Sequence, residues 1–130
     1  MILSVYSSLL EIVNKEFKDI CEDADIVFSS TGRAQKVRIY LIDNTIADVW
    51  LSLDGRYSYH WSNRGIRDYV LRYDNAPHEK WKVVSTFPKH CHEGNELNVV
   101  ESKIPDDPSS ALRYFLQHLK GKILQFTAQR

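Results

Sequence analysis

The chain is short of several things, and each shortage excludes something. It has no apolar run of about 18 residues, so no segment reads as a membrane-spanning helix. Its two cysteines, Cys21 and Cys91, are too few for a disulfide framework. Residues 1–10 lack a basic leader and a small-residue cleavage site, so no export signal is expected. The thiols are therefore expected to be reduced, in a cytoplasm. Five glycines and four prolines form no low-complexity tract or linker. Net charge is also missing: seventeen Lys plus Arg stand against seventeen Asp plus Glu. That excludes a globally basic nucleic-acid binder. What is present is ordinary for a globular fold. Aromatic residues make up 12% of the chain, which disfavours disorder. At 130 residues such a chain can bury about 65–70% of its unfolded surface, with no need of metal or disulfide to fold. One domain over residues 1–130 is expected.

The neutral total is a sum of opposed blocks. Residues 1–31 hold two basic against six acidic side chains. Residues 56–92 hold seven basic against three acidic, and four of the five histidines besides. Residues 93–110 are net acidic, and residues 111–130 carry no acid at all. Exposed charges act mainly within a Debye length of about 8–10 Å, so a local basic site remains compatible with a neutral whole.

Periodicity orders the elements. Ile2, Tyr6, Leu9, Leu10, Val13, Phe17 and Ile20 recur at steps of three and four, which predicts a helix ended by the acidic run Glu22-Asp23-Asp25. The period then changes to two. Strands are expected at residues 26–28, 36–43, 46–53, 56–61 and 67–73, and a last short one at residues 96–101. Residues 74–95 read as a long irregular segment. Asp107 before Pro108 reads as a helix start. Leu112, Phe115, Leu116, Leu119, Ile123 and Phe126 form the stripe of that helix, whose end Gly121 would weaken. The expected fold is α+β: an N-terminal helix, an antiparallel β-meander of four to five strands, a long His-rich loop and a C-terminal helix.

Asp54-Gly55 is a two-residue hairpin signal. Such a turn pairs Leu53 with Arg56, Trp50 with Tyr59 and Val49 with His60. Trp50, Tyr57, Tyr59 and Trp61 would then share one face, either as core or as a base-stacking platform.

The His-rich segment carries the chemistry. Arg72-Tyr73-Asp74-Asn75-Ala76-Pro77-His78 is followed by Thr86-Phe87-Pro88-Lys89-His90-Cys91-His92. Metal-independent cleavage of a phosphodiester needs a base for a 2′-hydroxyl, an acid for the leaving oxygen and cations for the phosphorane. Histidine suits both proton roles. His78, His90 and His92 are the candidate acid and base, with Arg72 as cation and Asp74 to orient. Lys89, Tyr73, Arg67 and His60 complete a candidate nucleic-acid-binding set. No cofactor is called for. The alternative chemistry is a metal site at His78, His90 and His92, since His90 and His92 point the same way in an extended chain. Cys91 as a nucleophile is a third option. Plain structural roles compete throughout. His60 could be a packed strand histidine, Arg72 and Asp74 a simple salt bridge, Asn75-Ala76-Pro77 a turn, and His118 a surface residue.

These two motif blocks resemble the TumE family of small prokaryotic toxins. Arg56-Tyr57-Ser58-Tyr59-His60-Trp61 extends the likeness to the hairpin strand. Three positions depart from the family pattern: Glu79 stands where a second histidine follows His78, Lys89 where another histidine stands, and Cys91 where a lysine stands. His78, His90 and His92 keep their places. The resemblance implies the toxin of a type II toxin–antitoxin pair. It implies a helix-turn-helix antitoxin encoded by a neighbouring gene as partner. The element order is similar to that of RelE-like and barnase-like ribonucleases, an analogy of fold alone. RNA is then the expected substrate, with no membrane partner, and the reading allows a homo-oligomer. A non-catalytic RNA- or partner-binding module, or a metal-dependent hydrolase, are the competing classes.

Overall fold

The computed structural model describes residues 1–63 and 68–128. The first helix, α1 (Ile2–Glu16), buries Tyr6, Leu9, Ile12 and Val13. It stops earlier than the apolar period suggests. Phe17 leaves helical geometry at φ −127°, yet Phe17 and Ile20 stay buried and carry the apolar stripe on into the turn. The acidic run does not end the helix. It lies within β1 (Cys21–Phe28), where Glu22, Asp23 and Asp25 are exposed. β1 is an edge strand, and edge charges oppose pairing with another chain.

The sheet continues through β2 (Ala34–Leu41), β3 (Ile46–Leu51), β4 (Tyr57–Asn63), β5 (Tyr69–Asp74), β6 (His90–Gly94) and β7 (Val99–Glu101). It is antiparallel in simple sequential order. The meander has seven strands rather than four to five. The two strands beyond the expected meander are β6, which lies inside the stretch expected to be irregular, and β7, expected as a last short strand and here joined to the same sheet; β1 extends the expected 26–28 to eight residues. Only residues 75–89 remain a true connection, with a 3-10 turn at Glu79–Trp81. The second helix, α2 (Pro108–Ala128), runs through Gly121 without a break. Asp107 caps it as expected, its carboxylate accepting the Ser110 N–H at 2.8 Å.

Both helices pack on one face of the sheet. Val37, Ile39, Leu41, Ala47, Val49, Tyr59, Trp61, Leu71, Tyr73 and Cys91 form that inner face, against Leu9, Leu112, Phe115 and Leu119. The aromatics of β4 are therefore core. The helices are clamped to each other by a two-pronged Arg113–Glu16 pair at 2.9 Å. No helix among the described residues is long and apolar enough to cross a membrane.

The β3–β4 hairpin differs by one residue from its expected register. Val49 faces Tyr59, Trp50 faces Ser58 and Asp48 faces His60. The loop holds three residues, Leu53, Asp54 and Gly55. Gly55 N–H closes on the Ser52 carbonyl, Gly55 takes φ +91°, and Ser52 N–H pairs with the Arg56 carbonyl. This is a turn followed by a left-handed glycine, the geometry of a three-residue hairpin with a bulge. The Ser52 hydroxyl holds it by accepting the Arg56 N–H at 3.0 Å. The slip moves Trp50 to the outer face, 42% exposed, and puts Val49 in the core.

Candidate functional site

The register stacks the polar residues of the outer face in two rows. One row runs Arg38, Asp48, His60, Arg72, His92 from β2 to β6. The other runs Trp50, Ser58, Asp74, His90 from β3 to β6. Arg72 and Asp74 are two apart on β5, and His90 and His92 are two apart on β6. Each pair therefore points one way. Cross-strand pairing then sets Arg72 opposite His92 and Asp74 opposite His90. Four residues of the two motif blocks thus meet in a compact square.

Three of the square's members are buried and Arg72 half-buried, although no α-helix among the described residues covers this face. His90 is 0%, His92 1% and Asp74 8% exposed. The cover comes from residues 75–89. The Trp81 ring lies 5.5 Å from the His90 ring and 5.0 Å from the His92 ring. Asn75 fastens the start of this connection to the β3–β4 hairpin. Its side chain accepts the Tyr57 N–H at 3.0 Å and donates to the Gly55 carbonyl at 2.9 Å. Asp74 accepts the Ala76 N–H at 3.0 Å. The Asp-Asn-Ala stretch therefore serves as a turn and also supplies one member of the square.

The histidine tautomers follow from their partners. His90 Nδ1 is 2.8 Å from the Pro88 carbonyl, and His92 Nδ1 is 2.8 Å from the Glu96 carbonyl. A carbonyl only accepts, so both Nδ1 atoms carry the proton. Both Nε2 atoms then face Asp74, at 3.0 Å for His90 to Oδ1 and 3.6 Å for His92 to Oδ2. His92 Nε2 also receives Arg72 Nη2 at 3.1 Å. Burial, reinforced by the Arg72 charge, lowers the His92 pKa below its ordinary value. Arg72 donates further to Asp74 Oδ2 through Nε at 2.9 Å and to Glu96 at 2.8 and 2.9 Å. Such an arrangement can hold an anion beside a guanidinium, hold a cation between imidazoles and a carboxylate, or transfer a proton at Nε2.

The other candidates are placed differently. His60 sits half-buried on the outer face, across from Arg72. His78 is exposed at the start of the 3-10 turn and is not in the square. Lys89 is tied down by the Ile104 carbonyl at 2.6 Å and Asp106 at 3.0 Å. Tyr73 faces the core, 3% exposed, with its hydroxyl 2.5 Å from His118 Nδ1. His118 is thus a half-buried partner of the core rather than a surface residue. Cys91 also faces the core, and burial pushes its thiol up to about 12, which removes it as a nucleophile at neutral pH. Arg67 lies outside the described residues. Sequence reasoning missed Trp81 as the cover and Glu96 as the second anchor of Arg72 and His92. Neither carries a spacing signal, because each reaches the site from a loop. A separate cleft of 1120 Å³ runs along Phe28, Trp50 and Leu53 and shares no residue with the square.

The family model for the toxin TumE matches residues 9–123. The chain belongs to the TumE toxin family. No curated protein and no solved structure matches it. In this TumE-family chain the three departures noted in the motif blocks all fall outside the square. Glu79 is exposed and pairs with Lys82 at 3.1 Å. Lys89 points to the connection before α2, and Cys91 points to the core. The square itself is intact.

Proposed function

We propose that this chain is the toxin of a type II toxin–antitoxin pair and a metal-independent endoribonuclease. The carrying observation is the outer-face row in which Arg72 stands between His60 and His92. Neighbouring strands are about 4.8 Å apart, so the two imidazoles flank the guanidinium on opposite sides. A phosphate held by Arg72 would have one imidazole toward the 2′-hydroxyl and the other toward the leaving oxygen. Arg72 would stabilise the phosphorane charge. Asp74 and His90 would hold Arg72 and His92 in place. His78 and Lys89 fall away from this set, the first because it lies outside the square, the second because its ammonium is turned away from the row, to the Ile104 carbonyl and Asp106. The family supports the toxin role. An antitoxin partner of helix-turn-helix type, encoded next door, and a cytoplasmic setting complete the reading.

The test is cleavage of total cellular RNA by the purified chain in excess EDTA. Cleavage is expected, and His92→Ala and Arg72→Ala should abolish it with the fold retained. RNA binding without cleavage would instead make the chain a non-catalytic RNA-binding module. Cleavage that EDTA abolishes would replace the acid–base reading with a metal-dependent one.

A further inference from the structure

Asp74, His90 and His92 have a second property that owes nothing to RNA. One ligand-capable atom from each lies within 4.8 Å of the others. Both histidines give their Nδ1 protons to carbonyls, at 2.8 Å each. Metal-binding histidines are oriented in this way: the outer nitrogen is anchored, and the inner one is left with its lone pair. His90 Nε2 is wholly buried and makes no hydrogen bond among the described residues. It faces Asp74 Oδ1 at 3.0 Å in a desolvated place, where the gap between ring nitrogen and carboxylate oxygen must be filled by a proton or by a metal ion. A divalent ion fills such a gap for both groups at once.

The geometry points to a binding site for one divalent transition-metal ion of the zinc class, held by Nε2 of His90, Nε2 of His92 and a carboxylate oxygen of Asp74. Two imidazoles and one carboxylate suit zinc and its neighbours, whereas calcium and magnesium take oxygen sets. Bonds of about 2.0–2.2 Å in a tetrahedron set ligand atoms roughly 3.3 Å apart. The carboxylate–imidazole separations, 3.0 Å from His90 Nε2 to Oδ1 and 3.6 Å from His92 Nε2 to Oδ2, lie near that value, and a small turn of the Asp74 carboxylate would present one oxygen to both rings. Three protein ligands leave the fourth position for water or another small ligand. Arg72 is the competitor, since its Nη2 donates to His92 Nε2. Glu96, half-exposed at the side chain, already grips the same guanidinium and gives it a place to stay when Nε2 turns to metal. The ion and the Arg72–His92 bond are therefore alternatives at one nitrogen. If His92 also moves protons, as proposed above, metal loading shuts cleavage off. That consequence rests on the ribonuclease reading, while the site does not.

The test uses the full chain, stripped by chelator, titrated with cobalt(II) and then zinc. One cobalt per chain is expected, with the intense visible bands of a four-coordinate site, displaced by one equivalent of zinc. Asp74→Asn and His90→Gln should each weaken binding on the order of 100-fold. His78→Gln should leave it unchanged, since His78 is exposed and outside the cluster. Should a ligand variant fail to fold, the wild type still decides. Cobalt must then shift the exchangeable Nδ1–H proton resonances of two histidines. Absence of saturable binding, a six-coordinate spectrum, binding unmoved by both ligand variants, or loss with His78→Gln would each overturn the site. A chain that binds cobalt but cleaves no RNA would sink only the ribonuclease reading.

Discussion

Arg72 and His92 face each other across β5 and β6, with Nη2 and Nε2 3.1 Å apart. Burial, with the guanidinium adding to it, holds the imidazole pKa down, and the imidazole takes up one prong of a fork whose others hold Asp74 and Glu96.

This pair makes stability depend on pH. His92 and His118 both have pKa values lowered, chiefly by burial. Near pH 6.5 the unfolded chain therefore binds protons that the folded chain refuses. Stability is full above that pH and is lost as pH falls through it. The melting temperature should drop between pH 7.5 and 5.5, and His92→Gln should shrink the drop. A flat or rising profile would contradict the arrangement.

Replacing Arg72 separates charge from shape. Arg72→Ala leaves the nearly buried Asp74 without its strongest partner and should cost about 2 kcal/mol in urea unfolding. Arg72→Lys keeps the charge but not the fork. It should recover part of the stability and little of any RNA cleavage. Full recovery of cleavage would show that the fork geometry is dispensable.

Trp81 should act as a shield. Diethylpyrocarbonate is expected to modify exposed His78 quickly and to spare His90 and His92, read by peptide mass spectrometry. Trp81→Ala should open both to modification. It should cost about 2 kcal/mol, less than a full core truncation because the ring is half-buried. Rapid modification of all three in the wild type would mean that the cover is loose.

Both thiols should be silent. Burial pushes Cys21 and Cys91 up to about 12. A disulfide reagent at pH 7.5 should titrate neither thiol promptly in the folded chain and both after denaturation.

Much of this was legible in the residues. The α1 stripe, the Asp107 cap before Pro108, and the shared direction of Arg72 and Asp74 all follow from period or local chemistry. The hairpin register did not follow. Asp54-Gly55 serves a two-residue and a three-residue loop equally well, and the Ser52 hydroxyl that decides between them has no spacing signature. β6 was hidden for another reason. Its outward residues are histidines, so it lacks the apolar alternation of a half-buried strand. Their burial is supplied by Trp81 from a distant turn. His78 looked equal to His90 and His92 in the sequence, yet it precedes the turn that does the covering and stays outside.

The alternation of β6 makes two parts of the chain unequal before insertion and deletion. His90 and His92 face the site while Cys91 faces the core. One residue added within 75–89 lengthens a connection whose path the sheet does not dictate. One residue added between Cys91 and His92 would turn His92 into the core and break the square. Variation in the length of this toxin's site should therefore gather on the covering segment, while the five residues of β6 keep their count.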